Sequence, residues 1–346
     1  MEVTRRALLA SGAVGATLLV APPVDAVPKV SKVLATGMEV PWGVAFLPSG
    51  DALVSERISG RIQRVRRTGG RRLIGTVTGV ATDAGEGGML GLAVAPTFAE
   101  DRWVYAYYST ASDNRIVRMR YVDGALGPQH VLLAGIPVST VHNGGRLAFG
   151  PGGLLYATTG DAANGSQSQD KNSLGGKILR LTPEGDVPVG NPFGNYVWTY
   201  GHRNVQGVAW DKRGRMWASE LGQNIRDEFN RIRKGHNYGW PIVEGGDGSG
   251  PFSDPFVTWP TSECSPSGVA ITGGRAWVGA LRGQSLYSVR LSGPHARRRI
   301  RHFQGTFGRI RTVQKAPDGS LWITTSNRDG RGTPGPSDDR VIRVVI

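Results

Sequence analysis

Short apolar runs, broken by Gly, Pro and Asp, recur along the chain, and one arrangement of them repeats six times. Each copy is a short apolar strand, a tight turn and a second apolar strand that often carries an aromatic. The copies open at Trp42, Leu90, Gly145, Gln206, Ser267 and Arg311. The first reads Trp42-Gly43-Val44-Ala45-Phe46 and the fourth Gln206-Gly207-Val208-Ala209-Trp210. A third strand follows each copy, opening at Gly60, Asn114, Gly176, Asp227, Gln284 and Asp339. These third strands alternate apolar and polar positions, the pattern of a half-buried strand.

Two independent motifs therefore both count to six. Spread over the roughly 320 residues after position 26, six units take about 53 residues each, close to a propeller blade. A lone three- or four-stranded sheet cannot bury both faces, whereas radial packing buries each sheet against its neighbours and leaves only short edges. The pattern predicts an all-β, six-bladed β-propeller with four-stranded antiparallel blades, formed by residues 27–346 as a single domain. Residues 30–34 are expected to close the ring by joining the last blade beside residues 341–346. Glycine fits this picture: its 51 occurrences among 346 residues are about twice ordinary usage, as many turns require.

Composition adds three constraints. Residues 1–26 hold Arg5-Arg6, an apolar run over 7–22 and a small-residue end at Val24-Asp25-Ala26, the plan of an export signal of twin-arginine type. The mature protein is therefore expected to be exported (periplasmic, cell-surface or extracellular), and no later apolar stretch approaches the length of a membrane span. The single cysteine, Cys264, excludes an intramolecular disulfide and a cysteine-rich zinc site. The net charge of +14 is spread along the chain, with one cluster at Arg297, Arg298, Arg299 and Arg301. No helix-turn-helix, zinc-finger or RNA-binding pattern accompanies it, so it reads as a solvated surface and not as a nucleic-acid interface.

Candidate chemistry lies where loops feed the inner strands. His142, in Val141-His142-Asn143-Gly144-Gly145, precedes the third inner strand, and Asp161 ends the next strand at the same rim. A carboxylate on the far nitrogen of a histidine fixes its tautomer and raises its basicity. A second polar loop, Gly201-His202-Arg203-Asn204, leads to an acidic, Gly- and Asn-containing stretch over 219–228 that suits oxygen-ligated calcium. Arg309 and Arg311 share one face of a strand, and Arg282 opens a loop of the neighbouring blade. Together with Arg203, these guanidinium groups are expected to repel one another in a common funnel unless an anion is bound.

From about Pro41 to its end the chain resembles the soluble glucose/sorbosone dehydrogenases that use pyrroloquinoline quinone (PQQ). The resemblance rests on the Pro41-Trp42-Gly43 opening, Gly85-Glu86-Gly87-Gly88, His142-Asn143-Gly144-Gly145-Arg146, Gly201-His202-Arg203-Asn204, Asp227-Glu228, Asn237-Tyr238-Gly239-Trp240-Pro241, Leu281-Arg282-Gly283 and Arg309-Ile310-Arg311. It implies that His142 is the general base, oriented by Asp161, with Glu86 near substrate and cofactor. It implies that Arg203, Asn204, Arg282, Arg309 and Arg311 hold PQQ. Backbone carbonyls of Gly222 and Gln223 would bind the cofactor's Ca²⁺, and Glu228 with the Tyr238 carbonyl a second, structural Ca²⁺. The implied reaction is oxidation of an aldose's anomeric hydroxyl to a lactone, with electrons passed to an external acceptor by a monomer or homodimer. Two departures stand out: Thr312 replaces the Asp usual after Arg-x-Arg, and Pro151-Gly152-Gly153 replaces Pro-Asp-Gly. The alternatives are a calcium-dependent lactonase, which needs carboxylates and Asn converging on a metal, and a non-catalytic propeller that binds a glycan or a protein.

Overall fold

The structure, a computed structural model, describes residues 27–346 except 82, 84, 247 and 249. The export signal expected over 1–26 lies outside the described residues. Among these, six antiparallel sheets form one ring. Blade one comprises Pro41–Phe46, Ala52–Glu56, Arg61–Val65 and Arg71–Thr76, in that order from the axis outward. Blades two to five repeat this plan from inner strands Met89–Val94, Leu147–Phe149, Val205–Trp210 and Pro266–Thr272. Blade two adds a two-residue strand, Ala125–Leu126, that pairs with its third strand.

Blade six is built from both ends of the chain. Ile310–Lys315, Leu321–Thr325 and Val341–Val345 come last in sequence, and Lys29–Ala35 adds the outer strand in antiparallel register, Lys29 opposite Val345 and Ala35 opposite Val341. This is the ring closure that the terminal apolar segments predict.

The repeated motif has a packing cause. Tryptophans at matching places on the second strands of three blades, Trp217, Trp277 and Trp322, are at most 1 % exposed and fill the space between sheets. Aromatic burial of this kind contributes roughly 4–6 kcal/mol per ring before entropy is counted. The glycine in the inner-strand motif lets neighbouring inner strands meet around the axis. A Cβ on Gly43 would sit 2.7 Å from the Leu90 carbonyl oxygen, and one on Gly207 would sit 2.9 Å from the Val269 nitrogen.

Blades three and six, which face each other across the axis, carry Arg146 and Thr312 at that place instead. Arg146 stacks on Trp42, with its guanidinium carbon 4.1 Å from the ring centre. It donates to Thr312 Oγ1 (3.2 Å), to the Gln206 carbonyl (3.0 Å) and to the Trp42 carbonyl (3.4 Å). These bonds plug the channel from four blades. The plug separates two cavities along the axis: one between the lower ends of the inner strands, the other among the upper loops.

Candidate functional site

His142 sits on the upper loops at φ +57°, a left-handed conformation that a histidine adopts at a cost and that turns its ring toward the end of the neighbouring strand. There its Nδ1 lies 2.7 Å from Asp161 Oδ1. The Asp161 carboxylate is 2 % exposed and fully engaged. Oδ1 also accepts the Ala163 N–H at 3.0 Å, and Oδ2 accepts the Trp240 indole N–H at 2.8 Å. Ala162 and Ala163 follow in left-handed conformations too, so the loop wraps tightly around the carboxylate. An ionised carboxylate only accepts, so the Nδ1 proton points at Asp161 and the lone pair is left on Nε2. The pair is therefore built as an oriented base. Glu86 braces it from another blade: its Oε2 accepts the His142 backbone N–H at 3.2 Å and its Oε1 pairs with Arg331 at 2.8 Å.

Next to the pair opens a funnel of about 540 Å³ above the channel plug. Its walls carry Arg57, Arg282, Arg309, Arg311 and Arg331, with Glu86 and Asp329 as the carboxylates. Arg309 and Arg311 converge on a single oxygen, Asp329 Oδ2, at 3.0 and 3.4 Å. Burial alone would raise the Asp329 carboxyl, but Arg311 and Arg309 hold it below its ordinary value. Burial brings Arg311 down to about 10 despite Asp329. The mutual repulsion expected of these arginines is thus partly relieved from within, by an acid that the sequence does not single out. Five arginines against two carboxylates still leave three positive charges in excess. Asn204 lies under the funnel, fully buried; its Oδ1 accepts the Gly144 N–H at 3.0 Å and its Nδ2 lacks a partner.

Arg203 lies apart from the other arginines. Its guanidinium stacks over Trp240, 5.5 Å from the ring centre, and donates to the Gly222 carbonyl at 2.7 Å. It lines a crevice of about 10 Å³, room for one small particle, together with Glu220, Glu228, Glu244, Gly222 and Tyr238. Burial and then the neighbouring Glu220 charge push the Glu228 carboxyl well above its usual range. The loop that presents the Gly222 and Gln223 carbonyls is pinned by Glu244, whose Oε1 accepts four successive backbone N–H groups, from Gln223 to Arg226, at 2.7–3.0 Å. Among the described residues no cluster of three or more His, Cys, Asp or Glu side chains has the form of a metal site, so a cation here depends on main-chain oxygens as well.

The fold thus brings Glu86, Arg282, Arg309 and Arg311 to one funnel, places His142, Asp161 and Asn204 against it, and gathers Arg203, Gly222, Glu228 and Tyr238 in the adjoining crevice. Gln223 lies on the same loop beside Gly222. Sequence reading missed Arg57, Asp329, Arg331, Trp240 and Glu244. Trp240 alone carried a signal, since it falls within the Asn237-to-Pro241 motif. The others sit in stretches that read as solvated turns.

Residues 38–334 match the family model described as Glucose / Sorbosone dehydrogenase. The solved structure of the PQQ-bound form of aldose sugar dehydrogenase from Streptomyces coelicolor is 49 % identical, covers 94 % of this chain and 99 % of its own, and superposes with a TM-score of 0.89. The aldose sugar dehydrogenase YliI of Escherichia coli is 28 % identical over 86 % of this chain and 90 % of its own. Quinoprotein glucose dehydrogenase B of Acinetobacter calcoaceticus is 34 % identical over 62 % of this chain and 52 % of its own.

Proposed function

The chain belongs to the glucose/sorbosone dehydrogenase family, and from that premise we propose that it is an exported, PQQ- and calcium-dependent enzyme that oxidises the anomeric hydroxyl of an aldose to the lactone. The observation that carries this reading is the funnel beside His142. Its excess of three positive charges matches a planar tricarboxylate, and its volume suits a ligand of that size. The unpartnered Nδ2 of Asn204 adds a buried donor that lacks an acceptor until a ligand supplies one.

When bound, PQQ supplies a quinone carbonyl that accepts hydride. The chain's own residues do the rest. His142 Nε2 takes the proton of the sugar's anomeric hydroxyl, and Asp161 stabilises the imidazolium that forms. Arg282, Arg309 and Arg311, which line the funnel, would hold the cofactor's anionic oxygens, together with Asn204 and Arg203. Glu86 holds the His142 backbone and offers a polar group to the sugar. The carbonyls of Gly222 and Gln223 would hold one calcium ion beside the cofactor; the Gly222 oxygen already faces the cationic Arg203. Glu228 and the Tyr238 carbonyl would hold a second, in a crevice where three carboxylates, Glu220, Glu228 and Glu244, face one guanidinium, Arg203. A lactonase would need carboxylates and Asn converging on a central metal, whereas this funnel converges arginines.

Reconstitution of the purified protein with PQQ and Ca²⁺, followed by sugar-dependent dye reduction, tests the proposal. Turnover of one or more aldoses, and PQQ absorbance retained after desalting, are expected. Absence of turnover across a broad aldose panel, together with loss of PQQ absorbance on desalting, would sink it.

A further inference from the structure

We propose that Arg57 is a cofactor-anchoring residue, the first blade's guanidinium donating to an anionic oxygen of the molecule that fills the funnel; this rests on the PQQ reading above. Arg57 lines the funnel and is only 6 % exposed. Its Nε is buried without a hydrogen-bond partner, and the guanidinium makes no hydrogen bond or ion pair among the described residues. A buried, unsatisfied charged donor is costly, and native structures keep one where a ligand completes it.

The neighbouring acids are all committed elsewhere. Glu56, the preceding residue, turns outward: its Oε1 accepts from Arg71 and the Glu39 N–H, and its Oε2 from Arg61 and Gln63. Asp329 Oδ2 is shared by Arg309 and Arg311, and Glu86 Oε1 is held by Arg331. The other cations are occupied or wet: Arg203 donates to the Gly222 carbonyl, and Arg282 is exposed. Arg57 is therefore the buried funnel arginine whose donors are all still available. Its backbone is fixed, too. The Arg57 N–H donates to the Val40 carbonyl at 3.2 Å and its carbonyl accepts the Met89 N–H at 2.8 Å, which ties it between blades one and two. A donor fork held this way loses little freedom on meeting a carboxylate.

The test titrates PQQ alone into the purified full-length apo protein, following tryptophan fluorescence, for wild type, Arg57→Met and Arg57→Lys, with apo Tm measured for each. Arg57→Met is expected to raise the PQQ Kd about tenfold to a hundredfold, the span of a charged hydrogen bond. Its apo Tm should stay level or rise, because an unpaired buried charge is gone. Arg57→Lys, which keeps the charge, should bind more tightly than Arg57→Met. A Kd for Arg57→Met within twofold of a tightly binding wild type overturns the anchoring role and leaves the PQQ reading intact. A wild type that fails to bind PQQ overturns both. An apo Tm several degrees lower in Arg57→Met, with binding not restored by Arg57→Lys, assigns the residue to the scaffold and also overturns the role.

Discussion

At the scale of single residues the site depends on where one carboxylate sends its lone pairs. Asp161 receives three N–H donors, from His142, Ala163 and Trp240, and only a carboxylate can accept from all three directions. Asn at this position must turn its NH₂ toward one of the two sides. Toward His142 it forces the imidazole into the other tautomer and removes the lone pair from Nε2; toward Trp240 it sets donor against donor. Asp161→Asn is therefore expected to lower kcat by about 10²–10⁴ with the PQQ Kd changed less than threefold. Single-turnover sugar oxidation by the reconstituted enzyme checks the first part, and fluorescence titration the second. Equal turnover in wild type and variant would show that the aspartate does not orient the base. This pair was legible in the sequence, since both residues sit in motifs and at matching strand ends. Asp329 and Arg57 were not. Asp329 meets Arg309 and Arg311 from a later turn of the same blade, 20 and 18 residues on, and Arg57 shares the funnel with them from the other end of the chain. Yet nothing in Ser55-Glu56-Arg57 or Asn327-Arg328-Asp329 distinguishes a funnel wall from a solvated turn.

At the scale of elements the question is how two loops come close enough for that hydrogen bond. Strand Leu155–Thr158 runs out through Thr159 and Gly160 to Asp161, and Gly160 passes directly against the His142 loop. A Cβ on Gly160 would fall inside the van der Waals boundary of the His142 carbonyl, a backbone group that cannot swing aside. The Ala162 N–H donates to that same carbonyl at 3.2 Å, and the Gly160 carbonyl accepts the Gly176 N–H at 2.8 Å. The strand end is thus clamped from both sides. Gly160→Ala must separate the two loops, at a cost of about 1–3 kcal/mol in stability. It should also lower kcat at least tenfold by lengthening the His142–Asp161 contact. Thermal denaturation and turnover measured on the same preparation check this, and a variant with wild-type turnover would contradict it. The strands themselves were legible because radial packing imposes one apolar pattern on every blade. The loops were less so: Glu244 holds four amides of a loop some twenty residues upstream, an arrangement with no periodic trace.

At the scale of the whole molecule the propeller has two closures, one at the axis and one at the rim. Along the axis, glycines in four inner strands allow close approach, while Arg146 and Thr312 fill the channel from opposite blades. Burial, with Arg311 adding like charge, brings the Arg146 guanidinium down to about 9, so the floor of the funnel is itself cationic. Thr312, a neutral partner, accepts from Arg146 without neutralising it and leaves the charge in place. At the rim, strand Lys29–Ala35 completes blade six, yet only Leu34 and Ala35 of it are buried, at 3 % and 7 % exposure. Its contribution is mainly the backbone ladder that covers Val341–Val345. A chain beginning at Thr36 would expose that strand as an unpaired edge and strip one leucine from the core. Loss of about 3–6 kcal/mol is expected, which for a domain of this size lowers Tm by about 5–10 °C. Aggregation on heating should increase as well, since the freed edge can pair with another chain. The funnel is formed by loops of all six blades, so PQQ added to the truncated protein should raise its Tm by more than it raises that of the intact chain. Differential scanning calorimetry of both forms, with and without PQQ, decides the matter: a truncated protein with unchanged Tm would mean that blade six is stable with three strands and that the ring needs no clasp.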